Sequence, residues 1–420
     1  MLSASKRDRH GLADGDRDGL VILEPEAEGH AQEWLQHLVD FVAAGGDVPA
    51  PVWIVGPATL CAVLAKSMPP SAIGRVRLVA LSPLEHRLCT HRRLWISAFA
   101  RWRTMRRHLN RTCAKSGFFL SLDHLSLPLA LGLGTGGKPV SGILFRPSVH
   151  YGEFGAYRPS AVEKVRDLRK DLLYRLMLRN RDLATVLSLD PFFALHAASR
   201  YAQGAKVRPL PDPAFPPPAD LDMWPVDPEA QSPDRVSFLL FGHLTERKGL
   251  LALLDALALL KPSLAARIAV TFAGRVDPVL RQPLELRRRS LLARHPEIWL
   301  RVEDRRLGAT ELAALVRRSD VILAPYQRFV GSSGVLLWAA REGRPLLVQD
   351  YGLIGRLTRD HRLGLVADCG NPKSLAAGIA RMVEHGPDSF VDKCAARAYA
   401  AAHTPQVFAS IVMRSAFATG

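Results

Sequence analysis

Short apolar runs of strand length alternate with helical segments along most of this 420-residue chain, and that alternation restricts it to parallel sheets covered by helices. In the first half the strand-like runs are Leu20–Leu23, Val52–Val55, Val76–Leu81, Phe118–Leu122, Val140–Phe145 and Thr185–Leu189, with a helix from about Ala31 to Ala44. In the second half they are Val236–Phe241, Ile268–Ala273, Asp320–Ala324 and Leu346–Gln349. The segment from Pro209 to Pro218 is too rich in proline for a helix interior or a central strand, so a domain boundary belongs there. The expected organisation is a disordered polar tail over 1–19, a first domain over 20–212, a linker over 213–234 and a second domain over 235–400. Residues 401–420 form a C-terminal segment that can return to the first domain. The chain is long enough for two domains with a core each, and two such domains facing one another make a cleft.

Two glycine turns in the second half have the form of phosphate sites. Gly331-Ser332-Ser333-Gly334 separates the apolar run ending at Ala324 from the helical Val335–Ala340, with Tyr326 between. Glycine lets the backbone approach a ligand closely, and the amide end of a following helix favours an anion; the alternative is a plain Gly/Ser turn. Gly242-His243 ends the run from Val236 and is followed by Lys248-Gly249 and an amphipathic helix from Leu250 to Leu260. A lysine at the mouth of such a turn meets a diphosphate as a mobile point charge. Read as an exposed loop side chain, Lys248 is expected to be removable without damage to the fold.

Together these turns resemble the donor-binding domain of family 4 glycosyltransferases, which have the GT-B fold. The resemblance continues through Gly274, the helix Glu311–Asp320, Gly343-Arg344-Pro345, Asp350-Tyr351-Gly352, Gly364 and the helix Lys373–Val383, over about 150 residues. It implies an α/β chain of two Rossmann-like domains with parallel sheets, and a nucleotide-diphosphate sugar as donor substrate, with no cofactor and no metal. It implies a retaining transfer to a glycan or lipid-linked acceptor, in polysaccharide or glycolipid synthesis. The donor diphosphate would be held by Gly242, His243, Lys248, Gly331, Ser332, Ser333 and Gly334, with Tyr326 and Val330 beside it. Two family glutamates separated by seven residues are replaced by Val330 and Trp338, and the family's Gly-Arg turn reads Gly242-His243. These departures leave room for a scaffold that has lost catalysis and binds a glycan or a partner protein, or for an epimerase or phosphorylase on the same fold. Ser332 and Ser333 offer hydroxyl hydrogen bonds in place of the missing carboxylate.

In the first half, the loop Glu24–His30 opens onto a helix, and the resemblance puts Gly29 and His30 on the acceptor side. Glu26 and Glu28 are equally suited to a helix N-terminus, where acidic groups are favoured. His150, beyond the run Val140–Phe145, is the catalytic candidate, to orient the acceptor hydroxyl or accept its proton. His124 is a further acceptor-side candidate. The rival reading for both is an ordinary loop histidine, and neither has a metal-ligand partner at useful spacing.

Formal net charge is +16 and the isoelectric point about 10.1. His86–Leu122 carries nine Arg or Lys and no acidic residue. Within it Trp95, Phe99, Trp102 and Leu109 share one helical stripe flanked by Arg101, Arg103, Arg107 and Arg111. Such a helix lies on an anionic membrane surface, or packs its stripe on the sheet and leaves the arginines solvated. No nucleic-acid recognition module is visible. Five cysteines without Cys-x-x-Cys spacing suit a reducing cytoplasm. The charged start of the chain lacks the apolar core of a signal peptide, and no run approaches a membrane span. The expected location is cytoplasmic, peripheral at the inner face of the membrane.

Overall fold

The computed structural model describes residues 19–27, 30–46, 48, 51–155, 159–214 and 232–417. Gly29, the tail before Gly19 and most of the linker 213–234 lie outside the described residues. The chain divides into two compact units, one of 1–149, 160–213 and 405–420 and the other of 150–159 and 214–404. The expected first-domain span 20–212 thus contains a segment, 150–159, that packs with the second unit. It is held there by the Gly352 amide donating to the Phe154 carbonyl at 2.9 Å and by Arg356 over the Phe154 ring.

The first unit is built on seven parallel strands, β1 (Leu20–Leu23), β2 (Val52–Gly56), β3 (Val76–Ala80), β4 (Ser116–Phe119), β5 (Val140–Leu144), β6 (Leu183–Ser188) and β7 (Val207–Pro209), in the order β3-β2-β1-β4-β5-β6-β7. Every residue of β1, β4 and β5 is buried, as expected for strands covered on both faces. The segments between strands start where local chemistry starts a helix: Ser160 and Glu163 form a reciprocal capping box on Ala161–Met177, and Asp190 caps Pro191–Arg200 with proline at the first turn. The C-terminal helix Pro405–Phe417 belongs to this unit. Its Phe408 ring lies 5.1 Å from Trp34 on the helix Ala31–Ala43, and the Ser415 carbonyl accepts from Ser141 Oγ at 3.1 Å. Phe408 and Val412 are fully buried, each stabilising the unit by about 1.5–3 kcal/mol.

The second unit has six parallel strands, β8 (Val236–Phe241), β9 (Ile268–Ala273), β10 (Trp299–Glu303), β11 (Val321–Ala324), β12 (Leu346–Gln349) and β13 (Gly364–Ala367), in the order β10-β9-β8-β11-β12-β13. Three strands are not among the strand runs of the sequence reading, and all are at sheet edges: β10 and β13 are half-exposed and weakly patterned, and β7 ends at Pro209, a residue an edge strand tolerates because its missing N–H faces no neighbour.

In each sheet the chain runs outward on one side of its first strand and then restarts on the other. The order reverses between β1 and β4 in the first unit and between β8 and β11 in the second. Open α/β sheets bind ligands at the carboxyl ends of strands at such a reversal. The residues that follow these four strands are therefore the ones to inspect.

Among the described residues no helix is long and apolar enough to cross a membrane. The basic segment is the helix Leu94–Thr112, and its buried face keeps only part of the expected stripe: Leu109 is buried and Trp102 half-buried against the core. Trp95 is 56% exposed, while Arg101 is buried, donating from Nε to the Cys89 carbonyl at 3.0 Å and pairing with Glu26. Ser97, Ala98, Thr104 and Met105, small or slender, share that contact face, which leaves Trp95 outside it. Arg103, Arg106, Arg107 and Arg111 remain exposed.

Candidate functional site

At the reversal of the second unit, the turn after β8 and the loop after β11 are tied into one structure. Gly242 takes φ +96° and Gly249 φ +77°, backbone that glycine adopts without strain. A Cβ on Gly249 would stand 2.1 Å from the Pro325 carbonyl oxygen, so glycine alone lets the two segments come this close. The Gln327 amide donates to the Arg247 carbonyl at 2.8 Å, a direct bond between them.

Lys248 sits inside this junction. It is 8% exposed; its Nζ donates to the Phe241 carbonyl at 3.0 Å and to Tyr326 Oη at 2.9 Å. Tyr326 Oη in turn lies 3.0 Å from Ser333 Oγ, so a polar chain runs from the end of β8 to the Gly331–Gly334 turn. The reading of Lys248 as an exposed loop lysine is corrected: the side chain has to be counted as structure as well as chemistry. An ammonium has three donors, and two are engaged among the described residues. A Cβ on Gly242 would come within 3.3 Å of Nζ, so the glycine keeps the turn open beside the cation.

The remaining donor-side candidates divide. His243 is exposed at the same turn, and its carbonyl accepts from the Thr245 amide at 3.1 Å. Gly331 is buried, and Ser332 and Gly334 are half-buried in the turn before the seven-residue helix Val335–Arg341. Val330 is held by its backbone, its carbonyl accepting from the Leu353 amide at 2.8 Å. Trp338 packs its ring 5.5 Å from Phe241, filling with apolar volume a place where the resemblance has a carboxylate. Arg247, which the sequence reading passed over, lays its guanidinium 4.5 Å from the Phe329 ring centre beside this junction. Its position next to Lys248 was the available signal. His150, the catalytic candidate, is buried in the turn Ser148–Glu153 with its ring edge-on to Phe154 at 4.9 Å.

At the reversal of the first unit a cavity of about 480 Å³ opens beside the ends of β1 and β4. His30 and His124, expected on the acceptor side, both line it. So do Trp34 and Phe145, whose rings stack at 5.0 Å, and the carboxyl groups of Glu24, Glu26 and Asp123. Burial pushes the Asp123 carboxyl up, against the Phe145 amide that donates to it at 2.8 Å. Burial, together with Arg101, holds His124 below the usual imidazole value. Glu24 was passed over as a site residue, although a carboxylate directly after an all-apolar strand is a visible oddity. It is 5% exposed, and desolvation raises its pKa to about 7 despite a 2.8 Å bond from the Glu26 amide and the nearby Arg101.

Residues 235–385 match the family described as Glycosyl transferases group 1. No curated protein matches the chain. Among solved structures the chain is similar to a glycosyltransferase from Rickettsia africae (13% identity, 96% of this chain and 99% of that one, TM-score 0.60). It is also similar to WaaG, a glycosyltransferase involved in lipopolysaccharide biosynthesis (15% identity, 94% and 99%, TM-score 0.59). A third is Anabaena HepE in complex with UDP and glucose (13% identity, 94% and 97%, TM-score 0.59). Two parallel sheets with the same reversal and the shared fold over nearly full length give the chain the GT-B fold, with residues 235–385 of its second unit similar to the group 1 glycosyl transferases.

Proposed function

We propose that the protein transfers a sugar from a nucleotide-diphosphate sugar to a hydroxyl of a glycan or lipid-linked acceptor. The observation that carries this reading is the Lys248–Tyr326–Ser333 chain at the reversal of the unit that matches the family. In this reading Lys248 places its cation at the leaving diphosphate, where preorganised charge stabilises what develops as the sugar departs. His243 and the turn Gly331–Gly334 complete the diphosphate site, and His150 holds a sugar hydroxyl. The UDP and glucose bound to HepE support a donor of the same class. The protein groups supply the stabilisation of the diphosphate, without a metal.

A peripheral membrane location is part of the same proposal. Leu94 and Trp95 are exposed and follow the exposed Arg92 and Arg93 in the chain, a short apolar segment with a basic border. The rival reading, a scaffold without catalysis, is favoured by Val330 and by Trp338 packed on Phe241.

Thermal unfolding in the presence of UDP, GDP, ADP and their sugars separates the two. A ligand at a hundred times its Kd stabilises the native state by about 2.7 kcal/mol. At least one nucleoside diphosphate is expected to raise Tm; folded protein that responds to none of them is the scaffold.

A further inference from the structure

The helix Ala161–Met177 is apolar on two opposite faces. Tyr174 and Met177 are buried in the core of the first unit, where the Tyr174 ring meets Phe193 edge-on at 5.6 Å. On the other side Val162, Val165, Leu168 and Leu172 are between 55% and 79% exposed. At 3.6 residues per turn these four fall within about 120° of arc, on the side away from Tyr174. A surface helix with one face on the core carries charged and polar residues on the other. Four large apolar side chains there make an exposed patch of the kind that marks an interaction surface. The helix packs beside Ser126–Ala130, which packs in turn beside the basic helix Leu94–Thr112, so the three form one layer. Leu131, which ends the middle helix, is exposed as well.

The exposed charges around the stripe have one sign. Lys164, Arg166, Arg169 and Arg175 are exposed, as is Arg179 just beyond the helix. Its three acidic residues are drawn away from the surface. Glu163 closes the capping box with Ser160, Asp167 accepts from Ser148 Oγ at 2.8 Å, and the buried Asp171 accepts from Tyr201 Oη at 2.8 Å. Arg166 and Arg175 approach the last two at 3.7 and 3.5 Å, long contacts that leave both guanidinium groups in solvent. Resting on the peripheral location proposed above, we infer that Val162, Val165, Leu168 and Leu172 are the face by which the protein docks on an anionic lipid surface. Their side chains enter the boundary of headgroups and acyl chains, while the long basic side chains lay their stems along it and keep their charge among the phosphates. Arg169 favours lipid over protein, because on a projection down the helix axis it falls between Val162 and Val165, inside the stripe. A partner protein would have to bring a carboxylate to that one point, and a second copy would bring another face bordered by cations. A lipid surface offers phosphate everywhere along it. The net charge of +16 adds attraction that salt screens, whereas the apolar stripe adds a part that salt leaves in place.

The test sediments the whole chain with vesicles of phosphatidylcholine mixed with phosphatidylserine, and with phosphatidylcholine alone, at low and raised salt. Wild type is expected to partition onto the mixed vesicles, less onto phosphatidylcholine, and to keep part of its binding as salt rises. The triple variant Val165→Gln, Leu168→Gln, Leu172→Gln changes exposed positions to a good helix former, so its urea midpoint should match wild type. Its partition onto the mixed vesicles is expected to fall about tenfold or more, with the part that survives salt lost. Equal partition of wild type and the folded triple variant overturns the inference. If removing Arg103, Arg106, Arg107 and Arg111 abolishes binding in the same assay while the triple variant still binds, the inference falls and the peripheral location stands on the basic helix alone. Wild type that binds neither vesicle removes the location and this inference with it. Wild type that stays off the vesicles and sediments as a dimer, with the triple variant monomeric, overturns the inference in favour of an interface between copies. Stabilisation of both proteins by a nucleoside diphosphate without vesicles, measured alongside, keeps the transfer reading separate from each of these results.

Discussion

Replacing Lys248 by methionine keeps most of the side-chain volume and removes the ammonium, so it isolates the charge at the centre of the donor-side junction. The structure sets the size of the effect. Lys248 is buried and donates to two partners, the Phe241 carbonyl and Tyr326 Oη, at 3.0 and 2.9 Å. A hydrogen bond to a charged group contributes about 1.5–3 kcal/mol, and a buried partner left without one costs about 1–3 kcal/mol. Tyr326 keeps its contact with Ser333, so the orphaned group is chiefly the Phe241 carbonyl. The expected loss of stability is about 2–4 kcal/mol, read by urea denaturation, or about 2–4 °C in Tm for each kcal/mol in a unit of this size. Transfer should fall by a further factor, since one preorganised electrostatic donor contributes roughly 3–4 kcal/mol to the transition state, a hundredfold or more in rate. Measuring release of nucleoside diphosphate well below both midpoints keeps the two losses apart. Tyr326→Phe serves as comparison, because it breaks the chain to Ser333 and leaves the cation in place. A Lys248→Met protein that matches wild type in denaturation midpoint and in nucleoside diphosphate binding would refute both the structural and the chemical part of this reasoning.

Other outcomes follow from the first unit. Glu24 has a native pKa raised to about 7 from 4.5, so the native state holds its proton more tightly than the unfolded chain does. Its contribution is most favourable below pH 4.5 and is lost as pH rises through 7; at about 1.4 kcal/mol per unit the swing is roughly 3 kcal/mol. Urea denaturation of wild type and Glu24→Gln should therefore diverge between pH 5 and pH 8, the variant becoming relatively more stable at the higher pH, and parallel curves would contradict it. For the basic helix, replacing Arg103, Arg106, Arg107 and Arg111 by alanine should weaken sedimentation with phosphatidylserine vesicles by about 1 kcal/mol per arginine near the surface, the wild-type binding fading as salt rises. Equal recovery of both proteins with vesicles would remove the membrane role. Arg101 is left out of that set, because it is buried against Cys89 and Glu26.

Elements decided by near neighbours were legible in the amino-acid sequence. β1 reads as a strand because four adjacent apolar residues permit little else between a polar start and Glu24-Pro25, and the glycine turns at Gly242 and Gly331 announce themselves by composition. The pairing of Ser160 with Glu163 is likewise written within four residues. Tertiary structure decided what joins residues far apart in the chain. Lys248 becomes a buried link because Tyr326, 78 residues on, brings a hydroxyl to its Nζ, and no local pattern records that distance. Arg101 leaves the solvated face of its helix because Glu26, 75 residues earlier, waits for its charge. Glu24 owes its raised pKa to desolvation by burial, so a carboxylate that looks ordinary in a loop acquires a proton affinity near neutrality once the unit has folded around it. Local propensity is a sum over neighbours in the chain, whereas burial, and every electrostatic property that depends on it, is set by which distant surfaces meet.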